Sequence, residues 1–250
     1  MNLISGFHSI INQIKINSSN ISTIYIDNKR KDNRLSELVE LCNNNQLTLE
    51  YVDSKKLDKI ANNSNHQGII AKLNGPVAQK SFSLDEMITE VNNKTNAIIM
   101  VLDGITDPHN LGAIIRTADC FGVDAIILPK DNSANINNIT IAKTSSGAVY
   151  NIPIISVTNL NRALEKLKEN EFWIAGTTLT ESSISLFEFN FSGKLVWVLG
   201  NEGKGMRRLV QENCDFLVTI PMFGNTQSLN VSVASGIVLS YTRLMQHKNL

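Results

Sequence analysis

From residue 96 onward, short apolar runs alternate with helix-patterned segments, and this alternation constrains the possible folds more than any other feature. The runs at 97–102, 125–128, 152–155, 173–176, 195–199 and 216–220 are apolar at nearly every position rather than at every second one. A strand apolar on both pleat faces must be covered on both, which is the condition of a parallel sheet flanked by helices. The segments between them, at 111–121, 136–144, 160–169 and 206–213, carry helical spacing. A final helix is expected at 230–246, with Ile237, Val238, Tyr241, Leu244 and Met245 on its apolar side. The expected class is therefore α/β, built on a parallel sheet.

The first 75 residues read as a separate, smaller α/β unit. Phe7, Ile10, Ile11 and Ile14 mark an opening helix, followed by a strand at 23–26. Leu35, Leu38, Val39 and Leu41 give a helix at 34–42, and strands are expected at 47–52 and 68–73. Ser54 is the expected N-cap of a short helix running through Lys59. Asn74-Gly75-Pro76 breaks the pattern, so 76–95 is read as a linker and lead-in helix. The Asn-rich patches at 43–45 and 62–65 are read as loops.

Composition narrows the class without choosing a function. An apolar share of 42% with 18% charged residues suits a packed, soluble chain. No apolar run approaches the roughly 18 residues of a membrane span, and the first six residues lack the basic start of a signal peptide. Cys42, Cys120 and Cys214 are odd in number and scattered, as are His8, His66, His109 and His247. That dispersal suits reduced thiols in the cytoplasm and argues against a metal site. Lys plus Arg number 23 and Asp plus Glu 23, so basic character is local. Lys29, Arg30, Lys31 and Arg34 form one knot, and Lys204, Arg207 and Arg208 another; each suits either an RNA contact or a solvated face.

Three segments contain residues that packing alone would not select, each after an expected strand, where open α/β sheets bind ligands. In the first, Pro108 and Asn110 mark a helix start, and Asn110 is the expected cap. Arg116 follows two turns in, with Gly112 and Ala113 on its own face, suiting an anion such as an RNA phosphate or a nearby aspartate. In the second, G-N-E-G-K-G-M at 200–206, three glycines let the main chain approach a ligand or simply turn. It looks like a phosphate loop but lacks that spacing, and Glu202 would repel a triphosphate. In the third, the polar stretch at 221–230 runs into the last helix, where Ser228 or Asn230 would serve as an N-cap.

Together the segments resemble the three signature motifs of the SpoU family of RNA 2′-O-ribose methyltransferases, part of the SPOUT superclass. The matching stretches are N-L-G-A-I-I-R-T-A at 110–118, L-G-N-E-G-K-G-M at 199–206 and I-P-M-F-G-N-T-Q-S-L-N-V-S-V-A at 220–234. The resemblance covers 96–250. The first domain, with G-F-H-S-I at 6–10 and H-Q-G-I at 66–69, looks like the family's L30e-like substrate-binding domain. The layout and G-K-G-M-R-R at 203–208 are most similar to members that methylate a guanosine ribose in 23S rRNA. Asn201 stands where relatives often carry a smaller residue.

The resemblance implies a deep trefoil knot in 96–250 and a bent S-adenosylmethionine. Gly200, Ile220 and Leu229 would hold it, with Thr177, Leu199 and Ser228 close by. It implies that Arg116 acts at the reacting hydroxyl, with Asn110, Glu202, Ser228 and Asn230 completing the catalytic set. Arg is effectively always protonated, so stabilising alkoxide charge and gripping phosphate is the preferred role over base catalysis. Glu202 would orient Arg116 or neighbouring groups. Lys29, Arg30, Lys31, Arg34 and Arg207 would meet RNA, either 23S rRNA or a pre-ribosomal particle. A homodimer is implied, with no metal and no membrane. Rival readings are another RNA substrate, such as tRNA, and a non-catalytic assembly factor on the same fold. A Rossmann-type nucleotide enzyme is disfavoured by the glycine spacing.

Overall fold

The computed structural model describes residues 2–61, 66–75, 82–136, 138–180, 182–226 and 228–248. The expected loop at 62–65 and the first part, 76–81, of the expected linker and lead-in helix lie outside these residues. By internal contacts the chain divides into two units, Met1–Lys80 with Ser146–Asn151, and Ser81–Ser145 with Ile152–Leu250.

The first unit runs β1 (Asn2–Ser5), α1 (Phe7–Asn17), β2 (Ile21–Asp27), α2 (Asn33–Asn44), β3 (Leu49–Val52), α3 (Ser54–Ile60) and β4 (Ile69–Leu73). Its sheet has the order β1-β4-β2-β3, with β4 antiparallel to both neighbours and β2 parallel to β3. Phe7, Ile10 and Ile14 of α1 pack with Leu35, Leu38 and Cys42 of α2 over Ile24 and Ile26 of β2. β1 is absent from the sequence reading, because four residues at the chain start carry too little period. Ser54 is not the cap of α3. Asp53 takes that place, its carboxylate accepting from Lys56 N at 2.7 Å. Ser54 is the first helical residue, and its hydroxyl donates to Asp27 Oδ2 at 2.5 Å. That bond holds the Asp27 carboxyl below its ordinary pKa.

The second unit runs α4 (Leu84–Val91), β5 (Ile98–Asp103), α5 (Pro108–Cys120), β6 (Ala125–Pro129), α6 (Ile139–Thr144) and β7 (Ile154–Val157). It continues with α7 (Leu160–Glu169), β8 (Trp173–Thr177), β9 (Ile184–Ser185), β10 (Leu195–Gly200), α8 (Arg208–Glu212), β11 (Phe216–Thr219) and α9 (Val231–Lys248). The sheet order is β7-β6-β5-β10-β8-β11-β9, and every pairing among the described strands is parallel. All carboxyl ends therefore lie along one edge. β5 and β10 sit mid-sheet, and β5 is buried at every position, as its unbroken apolar run requires. Trp197 of β10 is fully buried, and its indole N–H is satisfied by Thr242 Oγ1 of α9 at 2.9 Å.

Two contacts aim the helices that carry site residues. At Gly112 of α5 a Cβ would stand 2.7 Å from Thr144 Cβ, so α6 packs against α5 only because the side chain is missing. α5 also packs against α9. Among the described residues no helix is long and apolar enough to cross a membrane, and no group of three or more His, Cys, Asp or Glu could hold a metal ion.

Candidate active site

Three loops leave the carboxyl edge of the parallel sheet, after β5, β10 and β11. The first turns at Gly104, whose φ of 80° favours glycine. Asp107, not Asn110, caps α5, its carboxylate accepting from His109 N at 3.0 Å with Pro108 in the first turn. Asn110 sits inside the first turn of the helix, which releases its side chain for other contacts.

The second loop folds tightly on itself. Asn201 and Gly205 exchange two main-chain hydrogen bonds of 3.1 and 2.8 Å. The Asn201 carboxamide accepts from Gly203 N at 2.9 Å and donates to Gly104 O at 3.0 Å, tying this loop to the first. The returning chain passes directly over Gly200. A Cβ there would lie 2.6 Å from Gly205 O and nearer still to Met206 N. Glycine at 200 is thus required by close approach rather than by an unusual φ.

Residues from all three loops meet in one hydrogen-bonded cluster. Glu202 Oε1 accepts from Asn110 Nδ2 at 3.0 Å, from Asn230 Nδ2 at 2.6 Å and from Val231 N at 3.2 Å. Asn230 Nδ2 also donates to Asn110 Oδ1 at 3.0 Å. Asn230 Oδ1 accepts from Ser232 N at 2.9 Å at the start of α9, so capping and cluster contacts coexist in one side chain. Carboxylate-to-amide bonds are stronger than neutral ones, and here they pin three distant segments together.

Other expected site residues fall in different surroundings. Arg116 is exposed, and no hydrogen bond or ion pair engages its guanidinium among the described residues. It lies six residues beyond Asn110, about 240° further round α5, and so does not join the cluster. Glu202 accordingly orients Asn110, Asn230 and the start of α9 rather than Arg116. Gly200, Ile220 and Leu229 are partly exposed, Ser228 is exposed and Leu199 is buried at the end of β10. Thr177 Oγ1 donates to Val198 O at 3.4 Å. Among the described residues no main-chain hydrogen bond outside the helices and strands involves Ile220 or Leu229.

The basic residues also divide. Lys29, Lys31 and Arg34 are exposed. Arg30 is held inside the first unit: its Nε donates to Asp32 at 2.6 Å, its Nη1 to Gln67 O, and its guanidinium stacks 4.3 Å over the Phe7 ring. Arg207 is tied to Asp103. Asp103, which the sequence does not single out, and Asn201, which it marks only as larger than the residue relatives often carry, tie the loops of the site together. The available signals were a carboxylate closing an apolar run just before Gly104 and an Asn heading a three-glycine turn.

The fold and cluster define a parallel α/β domain whose site is built from three loops on one sheet edge, and the chain carries a second, smaller unit with a mixed sheet. Residues 97–240 match the model of the SpoU rRNA methylase family, and residues 3–77 match that of the RNA 2′-O ribose methyltransferase substrate-binding domain. The chain belongs to the SpoU rRNA methylase family. It is 42% identical to the 23S rRNA (guanosine-2′-O-)-methyltransferase RlmB of Neisseria meningitidis serogroup B, across 96% of this chain and 94% of the relative. The RlmB of Ralstonia nicotianae is 40% identical across 95% of this chain and 93% of its own. Among solved structures, the SpoU methyltransferase AviRb of Streptomyces viridochromogenes, in complex with the cofactor AdoMet, superposes with a TM-score of 0.69 at 20% identity. That match covers 97% of this chain and 90% of AviRb.

Proposed function

We propose that the chain transfers a methyl group from S-adenosylmethionine to the ribose 2′-hydroxyl of a guanosine in 23S rRNA. The observation that carries this reading is the Asn110–Glu202–Asn230 cluster, which joins all three family motifs at one sheet edge. The substrate follows from the RlmB relatives, which match nearly the whole chain.

The residues present suit the cofactor. In this reading Gly200, with 205–206 packed over it, and the main-chain groups of Ile220 and Leu229, which enter no main-chain hydrogen bond outside the helices and strands among the described residues, hold the adenine edge. Thr177, Leu199 and Ser228 border the same site in this reading. When bound, the cofactor supplies a methyl group made electrophilic by its sulfonium. The chain's residues then have two tasks, orienting the ribose and stabilising charge on its oxygen. Asn110 and Asn230 are held rigid by Glu202 and fix the ribose position. Ser228, exposed beside them in sequence, contacts substrate or cofactor. Arg116 stabilises the alkoxide and grips an adjacent phosphate, remaining protonated throughout.

Because Arg116 stands apart from its own cluster, the reading includes a homodimer in which the partner's Arg116 completes the site. Exposed apolar residues support such an interface: Phe223 at 91% on the third loop, and Val233 and Leu244 at about half exposure on α9. The reading further includes a trefoil knot within 96–250, which rests on the family match alone. It takes 1–75 as an L30e-like RNA-binding domain acting through Lys29, Lys31 and Arg34, in a cytoplasmic protein.

Incubating the chain with methyl-labelled cofactor and a mixture of 23S rRNA fragments and tRNA, then mapping 2′-O-methyl positions in each, tests the proposal. Label on a guanosine ribose is expected. Label on tRNA alone would reassign the substrate, and cofactor neither bound nor consumed would leave only an RNA-binding factor.

A further inference from the structure

We propose that Asp103 and Arg207 form a clasp that fixes the 201–206 loop for the methyl donor, which makes Arg207 a positioning residue rather than an RNA contact. The inference rests on the reading above that Gly200 and its loop face the cofactor.

Asp103 ends β5 and pairs in register with Gly200, which ends β10. The Asp103 side chain is only 2% exposed, and both of its oxygens are used by one residue. Oδ2 accepts from Arg207 N at 2.8 Å, and Oδ1 accepts from Arg207 Nε at 2.7 Å. Main chain and side chain of Arg207 are thus gripped together. A buried carboxylate is tolerated only when paired and hydrogen-bonded, and this one meets both conditions.

The placement explains what the grip does. The loop departs from β10 at Gly200 and returns at Arg207, and each end is tied to the end of β5: Asn201 to Gly104 O, Arg207 to Asp103. Between these ties stand Glu202, held in the cluster, and Met206, whose main chain passes over Gly200. Releasing Arg207 frees the return strand over Gly200 while leaving the Asn201 tie in place. Nε and the main-chain N–H of Arg207 are committed to Asp103, while its two terminal Nη groups make no hydrogen bond among the described residues, so the salt dependence of RNA binding separates a clasp from a phosphate contact.

Arg207→Ala removes the side-chain bond, keeps the main-chain one and leaves the buried Asp103 carboxylate without its cation, so Tm should fall and the readings are taken well below the melt. Asp103→Asn is the second variant, keeping size but opposing Nε with an amide. Three quantities are read: cofactor affinity by calorimetry without RNA, RNA affinity against salt, and hydrogen exchange of the 203–207 amides. Cofactor affinity should fall about tenfold in both variants, the effect of losing one hydrogen bond to a charged group. Loop amides should exchange faster, with the RNA salt slope unchanged. Unchanged cofactor affinity and exchange, with a slope reduced by about 0.7–0.9, would overturn the clasp and make Arg207 a phosphate contact. A wild-type chain that takes up no cofactor is a separate outcome, overturning the cofactor reading itself. Rescue of cofactor affinity by Arg207→Lys would support the clasp.

Discussion

Replacing Gly200 by Ala adds one methyl group at the point where the second loop crosses its own strand. The new Cβ would stand 2.6 Å from Gly205 O, whereas ordinary contact begins near 3.4 Å. Met206 N and the Gly205 carbonyl carbon are closer still, and all three are main-chain atoms that no rotamer change can move. The 205–206 segment must therefore retreat by about 1 Å. Overpacking of this kind costs about 1–3 kcal/mol, which lowers Tm by roughly 2–12 °C in a domain of this size. The functional loss should be larger. Glu202 rides on the same loop, and a shift of about 1 Å at a positioning group can cost roughly a hundredfold in rate. Gly203→Ala is the internal control: its nearest neighbour would be Asn201 Oδ1 at 3.6 Å, and no positive φ opposes a side chain. Thermal melts and initial methylation rates of both variants give the comparison. Wild-type rate and Tm in Gly200→Ala would refute the argument, as would equal losses in the two variants.

Asn230→Ala removes a helix cap as well as a cluster link, so Tm should fall with about 1 kcal/mol of stability. Asn230→Asp restores the cap oxygen but sets a carboxylate against Glu202; a melt that recovers without recovery of methylation is expected, and full activity would contradict the cluster's role. In the first unit, Arg30→Ala should destabilise the fold by about 1–2 kcal/mol through its missing ring stacking and hydrogen bonds, with the RNA salt slope unchanged. Neutralising Lys29 and Lys31 together should leave Tm alone and flatten that slope by roughly 0.7–0.9 for each RNA phosphate left without its cation. Burial pushes the Cys42 thiol up to about 11 and the Cys214 thiol up to about 12, while Cys120 is exposed. A raised thiol pKa means less thiolate, so at pH 8 a disulfide reagent should modify Cys120 rapidly and the other two only after denaturation; rapid reaction of all three in the native state would contradict the packing.

The central strands are legible in the sequence because their chemistry is unambiguous. The run at 98–102 is apolar on both faces and forms a mid-sheet strand. Short or edge elements are not legible: Ile184–Ser185 is two residues long, and no periodicity can announce it. Helix starts deceive where two capping residues compete. Asp107 outcompetes Asn110 because Pro108 suits the first turn, and Asp53 outcompetes Ser54 for the same kind of place one residue earlier.

At the site, the motifs are visible as residues that packing would not choose, but their meeting is not. Asn110 bonds a carboxylate 92 residues away and an amide 120 residues away, separations that no local pattern encodes. Charge is legible only as composition. Whether Arg30 or Arg207 is free depends on Asp32, Gln67 and Asp103, and Asp103 lies in another segment of the fold. A basic cluster in sequence is thus a poor guide to which cations remain for RNA until their carboxylate partners are known.

In the proposed mechanism three loops hold the methyl donor while a separate arginine acts on the sugar oxygen. Calorimetry of S-adenosylmethionine binding to Arg116→Ala, paired with single-turnover methylation of 23S rRNA fragments by the same preparation, tests that division directly. The donor should bind as it does to the unaltered chain, and transfer should fall by about a hundredfold or more. Donor binding abolished in a folded variant, or transfer at the unaltered rate, would contradict it.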